Sequence, residues 1–130
     1  MQFYDCGRQR RGEYRDRRRD LALRDAAADL GPACTFVGHV EDARPWLRAA
    51  DVVVHSSQRP EPFGLVMTEA MACGTGVIVS DQVGAGYDLV GPEVGLQLPA
   101  GDIRALARAL PGLIDGTATA RPMDLRLGSY

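Results

Sequence analysis

The sequence of 130 residues contains no lysine: its 15 basic residues are all arginines, against 17 aspartates and glutamates. It has only three cysteines, Cys6, Cys34 and Cys73, and no C-x-x-C pair of the kind that binds a metal or carries out redox chemistry. No apolar run approaches the roughly 18 residues that a membrane span needs, and residues 1–11 lack the apolar stretch of a signal peptide. We therefore expect free thiols, no membrane span and a cytoplasmic location.

Basic charge is concentrated near the N-terminus. Seven arginines lie between Arg8 and Arg19, so this window carries +5 and the rest of the chain −7. A basic arm can contact nucleic acid or an anionic membrane, but this one lacks the alternating aromatic residues that stack on bases. We expect no specific nucleic-acid binding. The remaining composition, 45% hydrophobic and 25% charged, is that of one globular domain and excludes a wholly disordered chain.

Strand-like and helix-like segments alternate along the chain. The predicted strands are 34–38, 51–55, 76–80 and 94–98, and the predicted helices are 16–30, 42–50, 64–74 and 102–110. Such alternation, with short Gly- and Pro-containing loops, predicts an α/β fold, a Rossmann-like parallel sheet with helices on both faces. Ligands of these sheets bind beyond the carboxyl ends of the strands, here after Gly38, His55 and Ser80.

Three regions are predicted: an Arg-rich irregular segment without an apolar strand at 1–19, the Rossmann-like domain at 20–115 and a mobile tail at 116–130. Within the domain, the β-branched run 51–55 is typical of a strand buried on both faces. Residues 84–86 are predicted to form a Gly-rich turn. Pro111-Gly112 is predicted to interfere with the last helix, and a final turn at Leu113-Ile114 is left open.

The segment 56–74 contains the most informative candidate site residues. Its helix is apolar nearly all round, which predicts burial, and a buried Glu69 would need an arginine, backbone donors or a ligand. The alternative is an internal salt bridge or a solvent-facing helix edge. Glu61 precedes the helix. An acidic side chain there interacts favourably with the positive end of the helix dipole, so its position is also explained without a functional role. Gly64 permits a close backbone approach, and the free amides at the helix start suit a phosphate.

The residues Arg59-Pro60-Glu61-Pro62-Phe63-Gly64 and Glu69-Ala70-Met71-Ala72-Cys73-Gly74 carry two glutamates in an E-x(7)-E pattern. This region resembles that of the retaining group 1 glycosyltransferases of the GT-B fold, which use nucleotide sugars. The resemblance extends upstream through 36–40 and 50–54 and downstream through 77–81 to Asp102, about half the chain. It implies an incomplete C-terminal GT-B domain.

The resemblance also implies roles for individual residues. Glu61, the predicted catalytic residue, would face the donor sugar hydroxyls, and Glu69 would accept hydrogen bonds from the ribose hydroxyls. The backbone amides of Phe63, Gly64 and Leu65 would contact the sugar and the phosphates. An ionised carboxylate has two acceptor oxygens and suits paired hydroxyl donors.

The implied activity is that of a hexosyl-type glycosyltransferase, which moves a sugar from a nucleotide diphosphate to an acceptor hydroxyl with retention. The implied partners are a nucleotide sugar, an unidentified acceptor glycan, lipid or small molecule, and a missing N-terminal GT-B domain. No cofactor beyond the donor substrate and no metal are expected. The family's Arg and Lys phosphate ligands have no counterpart here, and the N-terminal domain that supplies most of the family's acceptor site is missing. We therefore expect the chain to be a gene fragment or half of a split enzyme, and to be inactive alone because the acceptor domain is missing.

Two other functions remain open: a nucleotide-sugar epimerase-like isomerase, for which no acid and base pair is evident, and a non-enzymatic remnant or interaction module. His39 and His55, at strand ends, are interpreted as hydrogen-bonded structural residues, and Arg59 as a solvated loop residue. Ser56 and Ser57 lie beside the predicted site, and two explanations are left open for them: contact with the ligand, or the ordinary preference of serine for loops.

Overall fold

The computed structural model describes residues 2–4, 17–38 and 40–115. The chain divides into two compact units, Met1–Ala43 and Arg44–Tyr130. This boundary differs from the predicted one, which placed 20–115 in a single domain. The predicted tail at 116–130 lies outside the described residues.

The first unit is built on a two-stranded parallel sheet. Strand β1 (Gln2–Tyr4) pairs with strand β2 (Thr35–Gly38), so that Phe3 lies opposite Phe36. The prediction of an irregular segment without a strand at 1–19 is therefore wrong at residues 2–4, and it is also wrong at 17–19, where helix α1 (Arg17–Ala26) begins. Three residues are enough for a strand when a partner supplies the hydrogen bonds, and such a short run has too little alternation to stand out in the sequence.

The helix predicted at 16–30 is two elements in the structure. Helix α1 is followed by a short 3-10 helix (Ala28–Ala33), which contains Pro32 and is interrupted at Gly31 (φ 50°, ψ −132°). The guanidinium of Arg24 on α1 lies 4.6 Å from the centre of the Phe36 ring on β2, a cation–π contact that joins the helix to the sheet of this unit.

The second unit contains a three-stranded parallel sheet flanked by helices, which confirms the α/β fold class. Its elements, in chain order, are α2 (Arg44–Ala49), β3 (Val52–His55), α3 (Leu65–Ala72), β4 (Gly76–Ser80), α4 (Gly84–Leu89), β5 (Gly95–Leu98) and α5 (Ile103–Ile114). The strand order is β3-β4-β5, and α3 and α4 form the two crossovers.

Strands β3 and β4 differ in burial although both are β-branched. All five residues of β4 are buried, as expected for the central strand, whereas Val54 of β3 is 39% exposed. The prediction that 51–55 is buried on both faces is wrong, because β3 is an edge strand of the three-stranded sheet. Edge strands lack a neighbour on one side, which leaves side chains open to solvent.

The core of the second unit lies between the sheet and helices α2 to α4. Met67 and Ala70 on α3 are fully buried, together with Val77, Val79 and Val83. The buried Thr75 hydroxyl donates a 2.6 Å hydrogen bond to the carbonyl of Leu47, which ties α2 to the start of β4. A buried hydroxyl needs such a partner, because an unpaired one would destabilise the fold.

Helix α4 corrects one sequence prediction, and helix α5 includes the final turn that the sequence left open. Gly84-Ala85-Gly86 is the first turn of α4 and not a loop, and its Gly84 amide bonds to the Glu61 carbonyl. Pro111 lies inside α5, which continues to Ile114. A proline near the end of a helix removes one backbone donor, and the carbonyl of Pro111 still accepts from Asp115. At the start of α5, the Asp102 side chain accepts a 2.9 Å hydrogen bond from the Ala105 amide and thereby caps the helix.

Candidate functional site

Glu61 is held at the carboxyl end of the sheet by its backbone. Its amide donates to the carbonyl of Gln82 and its carbonyl accepts from the amide of Gly84, both at 2.8 Å. These bonds make a parallel bridge between Glu61 and Val83, in the loop that follows β4. The two backbones approach so closely that a Cβ on Gly84 would lie 2.8 Å from the Pro62 carbonyl oxygen. Only glycine therefore fits at position 84 without a shift of the backbone.

The Glu61 side chain is held by His55, the last residue of β3. The distance between His55 Nε2 and Glu61 Oε2 is 2.7 Å, within hydrogen-bonding range. An ionised carboxylate only accepts, so the hydrogen lies on Nε2. The carboxylate has no other partner among the described residues, and the Glu61 side chain is 38% exposed against 21% for His55. One carboxylate oxygen is thus engaged while the carboxylate stays accessible to a ligand.

A tight turn after Glu61 leads into α3. Gly64 has left-handed backbone angles (φ 68°, ψ 63°) and precedes the first helical residue, Leu65, and no side chain caps the helix. The Met67 amide donates to the Gly64 carbonyl at 3.0 Å. The amides that precede Met67 lie in the first turn of the helix, where amides have no acceptor within the helix. The side chains of Phe63 and Leu65 are both more than half exposed. The structure thus brings Glu61, Phe63, Gly64 and Leu65 together at one end of the sheet.

Glu69 lies on the exposed face of α3, one turn after Leu65. The prediction that this helix is buried all round is wrong: only Met67 and Ala70 are buried, because the helix packs on the sheet with one side. Within the described part of the chain, the Glu69 carboxylate has no hydrogen bond or ion pair. Of the alternatives left open by the sequence, the structure shows the solvent-facing helix edge. Because side chains on a helix lean towards its N-terminus, Glu69 lies over the turn that begins at Leu65.

The other predicted residues of this region have smaller roles. Arg59 is exposed, as its interpretation as a solvated loop residue requires, and its carbonyl accepts from the Ser57 hydroxyl at 2.8 Å. The buried Ser80 hydroxyl donates to the Ser57 carbonyl at 2.6 Å, which joins the end of β4 to the loop after β3. His39 lies outside the described residues.

The contact that sequence reasoning missed is the pairing of His55 with Glu61. The sequence predicts a hydrogen bond for His55 but does not identify the partner. Alternation along β3 places His55 on the same face as Val53, and this is the face that α3 covers, since a Cβ on Gly64 would lie 3.3 Å from the His55 ring. A histidine on the helix-facing side of a strand end, six residues before a glutamate, is the signal that could have revealed the pair.

Two of the three cysteines, Cys34 and Cys73, are free thiols, and Cys6 lies outside the described residues. Across 2–4, 17–38 and 40–115, no three His, Cys, Asp or Glu side chains come together as a metal-ligand set. None of the helices in these ranges is long and apolar enough to cross a bilayer.

Comparison with known proteins identifies the family to which this α/β fold belongs. The family model "Glycosyl transferases group 1" matches residues 7–115. The chain belongs to this family. It is 43% identical over 94 residues to a phosphatidyl-myo-inositol mannosyltransferase of Mycobacterium leprae, a match that covers 71% of this chain and 25% of the relative. It is 37% identical over 105 residues to a lipopolysaccharide core biosynthesis glycosyltransferase of Rhizobium meliloti, covering 79% and 29%.

Solved structures of GT-B glycosyltransferases share the fold. Sucrose-phosphate synthase from Thermosynechococcus elongatus superposes with a TM-score of 0.74 at 37% identity, over 93% of this chain and 30% of that protein. Anabaena HepE, solved with UDP-glucose, superposes with a TM-score of 0.67 at 30% identity, over 79% of this chain and 29% of that protein. The chain thus spans only a quarter to three tenths of the length of these relatives.

Proposed function

We propose that this chain is the donor-binding part of a retaining group 1 glycosyltransferase. In this proposal, the carboxyl-end edge of the three-stranded sheet binds a nucleotide diphosphate sugar. The observation that carries it is the fixed position of Glu61, which backbone bonds to the loop after β4 and the 2.7 Å bond to His55 hold beside the start of α3. Carboxyl ends of parallel strands are where such folds bind nucleotides.

Each part of the donor has a chemically suited partner in this proposal. Glu61 accepts hydrogen bonds from the sugar hydroxyls and is the catalytic residue. The amides of Phe63, Gly64 and Leu65 contact the sugar and the diphosphate, since the start of α3 offers backbone donors and the positive end of the helix dipole. Glu69 accepts from the ribose hydroxyls, and its exposed, unpaired carboxylate is compatible with that role.

The nucleotide of the donor is UDP, GDP or ADP. UDP is the first ligand to test, because Anabaena HepE was solved with UDP and with UDP-glucose. In the whole protein, a sugar would pass from this donor to an acceptor hydroxyl with retention. We propose that the 130-residue chain alone binds the donor without transferring it. Transfer requires donor and acceptor to be held together, which is worth about 7–11 kcal/mol of barrier in well-oriented systems.

The test is thermal unfolding of the chain with UDP, GDP, ADP and their glucose and mannose conjugates. A ligand that binds only the folded state stabilises it by about 2.7 kcal/mol at a hundredfold excess over Kd, which raises Tm measurably. We expect one nucleotide series to raise Tm in the unmodified chain. A cooperative transition that none of these ligands moves would contradict donor binding.

A second assay separates binding from transfer. The chain is incubated with UDP-[14C]glucose and its release or transfer of labelled glucose is measured. We expect no turnover above the protein-free rate even where the Tm shift shows binding. Turnover at a rate typical of enzymes, about 1 per second or faster, would contradict the proposed inactivity and leave donor binding supported.

A further inference from the structure

His55 is fixed on three sides, and one of its contacts is the carboxylate assigned to the donor sugar. Its backbone pairs with Val79 at the end of β3. Its ring packs on the α-carbon of Gly64, because a Cβ there would lie 3.3 Å from Cδ2 and 3.4 Å from Nε2. Its Nε2 bonds to Glu61 Oε2 at 2.7 Å. The ring therefore has little freedom to move away from the carboxylate.

The geometry points to His55 as a positioning residue for sugar recognition: by donating from Nε2 to Oε2, it orients the Glu61 carboxylate so that the remaining oxygen faces the hydroxyls of the donor sugar. This inference rests on the proposed function and deepens it. A free glutamate side chain has three rotatable bonds, and holding it in one arrangement before binding reduces the entropy lost when the sugar binds.

A positioning role differs from a purely structural one in what it affects. His55 contacts the group assigned to the sugar and has no described contact with Glu69, which is assigned to the ribose. Loss of the Nε2 donor should therefore weaken recognition of the sugar and leave recognition of the nucleotide nearly unchanged. The measurable quantity is the glucose factor, defined as the Kd for UDP divided by the Kd for UDP-glucose.

The experiment is calorimetric titration of the full chain with UDP and with UDP-glucose for matched variants. His55→Leu keeps a branched side chain against Gly64 but cannot donate a hydrogen bond to Glu61. His55→Gln keeps an N–H donor at a similar distance from the backbone. We expect His55→Leu to lower the glucose factor about tenfold, as the loss of one hydrogen bond to a charged group implies, and to change the Kd for UDP less than about twofold. His55→Gln should restore the factor to within about threefold of the unmodified chain.

A double variant tests whether His55 acts through Glu61. If it does, His55→Leu combined with Glu61→Ala should lower the glucose factor no further than Glu61→Ala alone, because the carboxylate is already gone. A further loss in the double variant would show direct contact of His55 with the ligand and overturn the inference. If His55→Leu does not fold, as judged by its thermal transition, His55→Met replaces it, since that side chain also lacks a donor.

The remaining outcomes separate this inference from the proposed function. An equal loss for UDP and UDP-glucose in His55→Leu would indicate a structural role and overturn it, as would a His55→Gln variant no better than His55→Leu. Binding of UDP-glucose with an unchanged glucose factor in His55→Leu would overturn the inference alone. No binding of either ligand by the unmodified chain would overturn both.

Discussion

The two glutamates of the E-x(7)-E region lie in very different surroundings. Glu61 is held by two backbone hydrogen bonds and by the side chain of His55. Glu69 projects from the open face of α3 and has no partner in the described part of the chain. The same residue type, eight positions apart, is therefore positioned by the protein in one place and left free in the other.

This contrast follows from the local architecture. Glu61 lies in a turn whose backbone has no helix or strand of its own, so bonds to the neighbouring loop and side chain must fix it. Glu69 needs no such support, because the helix already fixes its backbone and only its side chain is free. In the proposed function, the sugar meets a preorganised acceptor, whereas the ribose orders Glu69 when it binds.

The largest predicted effect comes from the glycine that closes the turn. Gly64→Ala forces an alanine into left-handed angles and brings its Cβ to 2.7 Å from Cγ1 of Val83, a fully buried side chain. Left-handed geometry costs about 1–2 kcal/mol and overpacking about 1–3 kcal/mol, so we expect a loss of about 2–5 kcal/mol in the free energy of unfolding. Urea denaturation measures it.

Gly74→Ala is the matched control for this substitution. Gly74 also has a positive φ, 80°, but nothing lies within 4 Å of a Cβ there. We expect it to lose only the left-handed cost of about 1–2 kcal/mol and to keep its ligand affinity. Equal losses of stability for the two variants would show that the contacts of Gly64 with Val83 and His55 do not constrain the turn.

The sequence predicts the second unit well because its patterns are local. The buried strand Gly76–Ser80 is predicted at its observed bounds, since a continuous apolar run between glycines has few alternatives. Strand β3 is equally apolar, yet its exposure depends on whether a further strand pairs with it, which is a property of the assembled sheet. Helix α3 shows the same limit, because its composition does not reveal that it packs with one side only.

The candidate site is predictable in identity but not in geometry. The glutamates and the glycine are recognisable from their motif, whereas the bridge between Glu61 and Val83 joins residues 22 positions apart through backbone atoms alone. Backbone bonds between loops carry no side-chain signature in a sequence. The pairing of His55 with Glu61 depends on the same bridge, which explains why the sequence suggests a hydrogen bond for His55 without its partner.

The next prediction in size concerns Glu69 and the ribose. Glu69→Ala should weaken UDP binding by at least about tenfold, because a hydroxyl bond to a charged acceptor is worth about 1.5–3 kcal/mol. The unmodified chain should also prefer UDP over 2′-deoxy-UDP, and this preference should shrink in the variant. Calorimetric titration measures both.

Glu93→Ala is the matched control for Glu69→Ala. Glu93 is also exposed, but it precedes β5 and thus lies at the amino end of the sheet, away from the proposed site. We expect it to bind UDP as the unmodified chain does. A loss of affinity in Glu93→Ala as large as in Glu69→Ala would point to a general effect of charge and contradict the ribose assignment.

The smallest predicted effect tests the difference between the held Glu61 and the free Glu69 in the absence of any ligand. Glu61→Ala removes a partly exposed bond to His55 and should lower the free energy of unfolding by about 0.5–1 kcal/mol. Glu69→Ala removes no contact and places the best helix-forming residue in α3, so its effect should be zero or a gain of roughly a few tenths of a kcal/mol. Urea denaturation of both variants gives the difference. A loss in Glu69→Ala that equals the loss in Glu61→Ala would mean that the free protein holds both glutamates alike, because a side chain without contacts in the folded state cannot stabilise it.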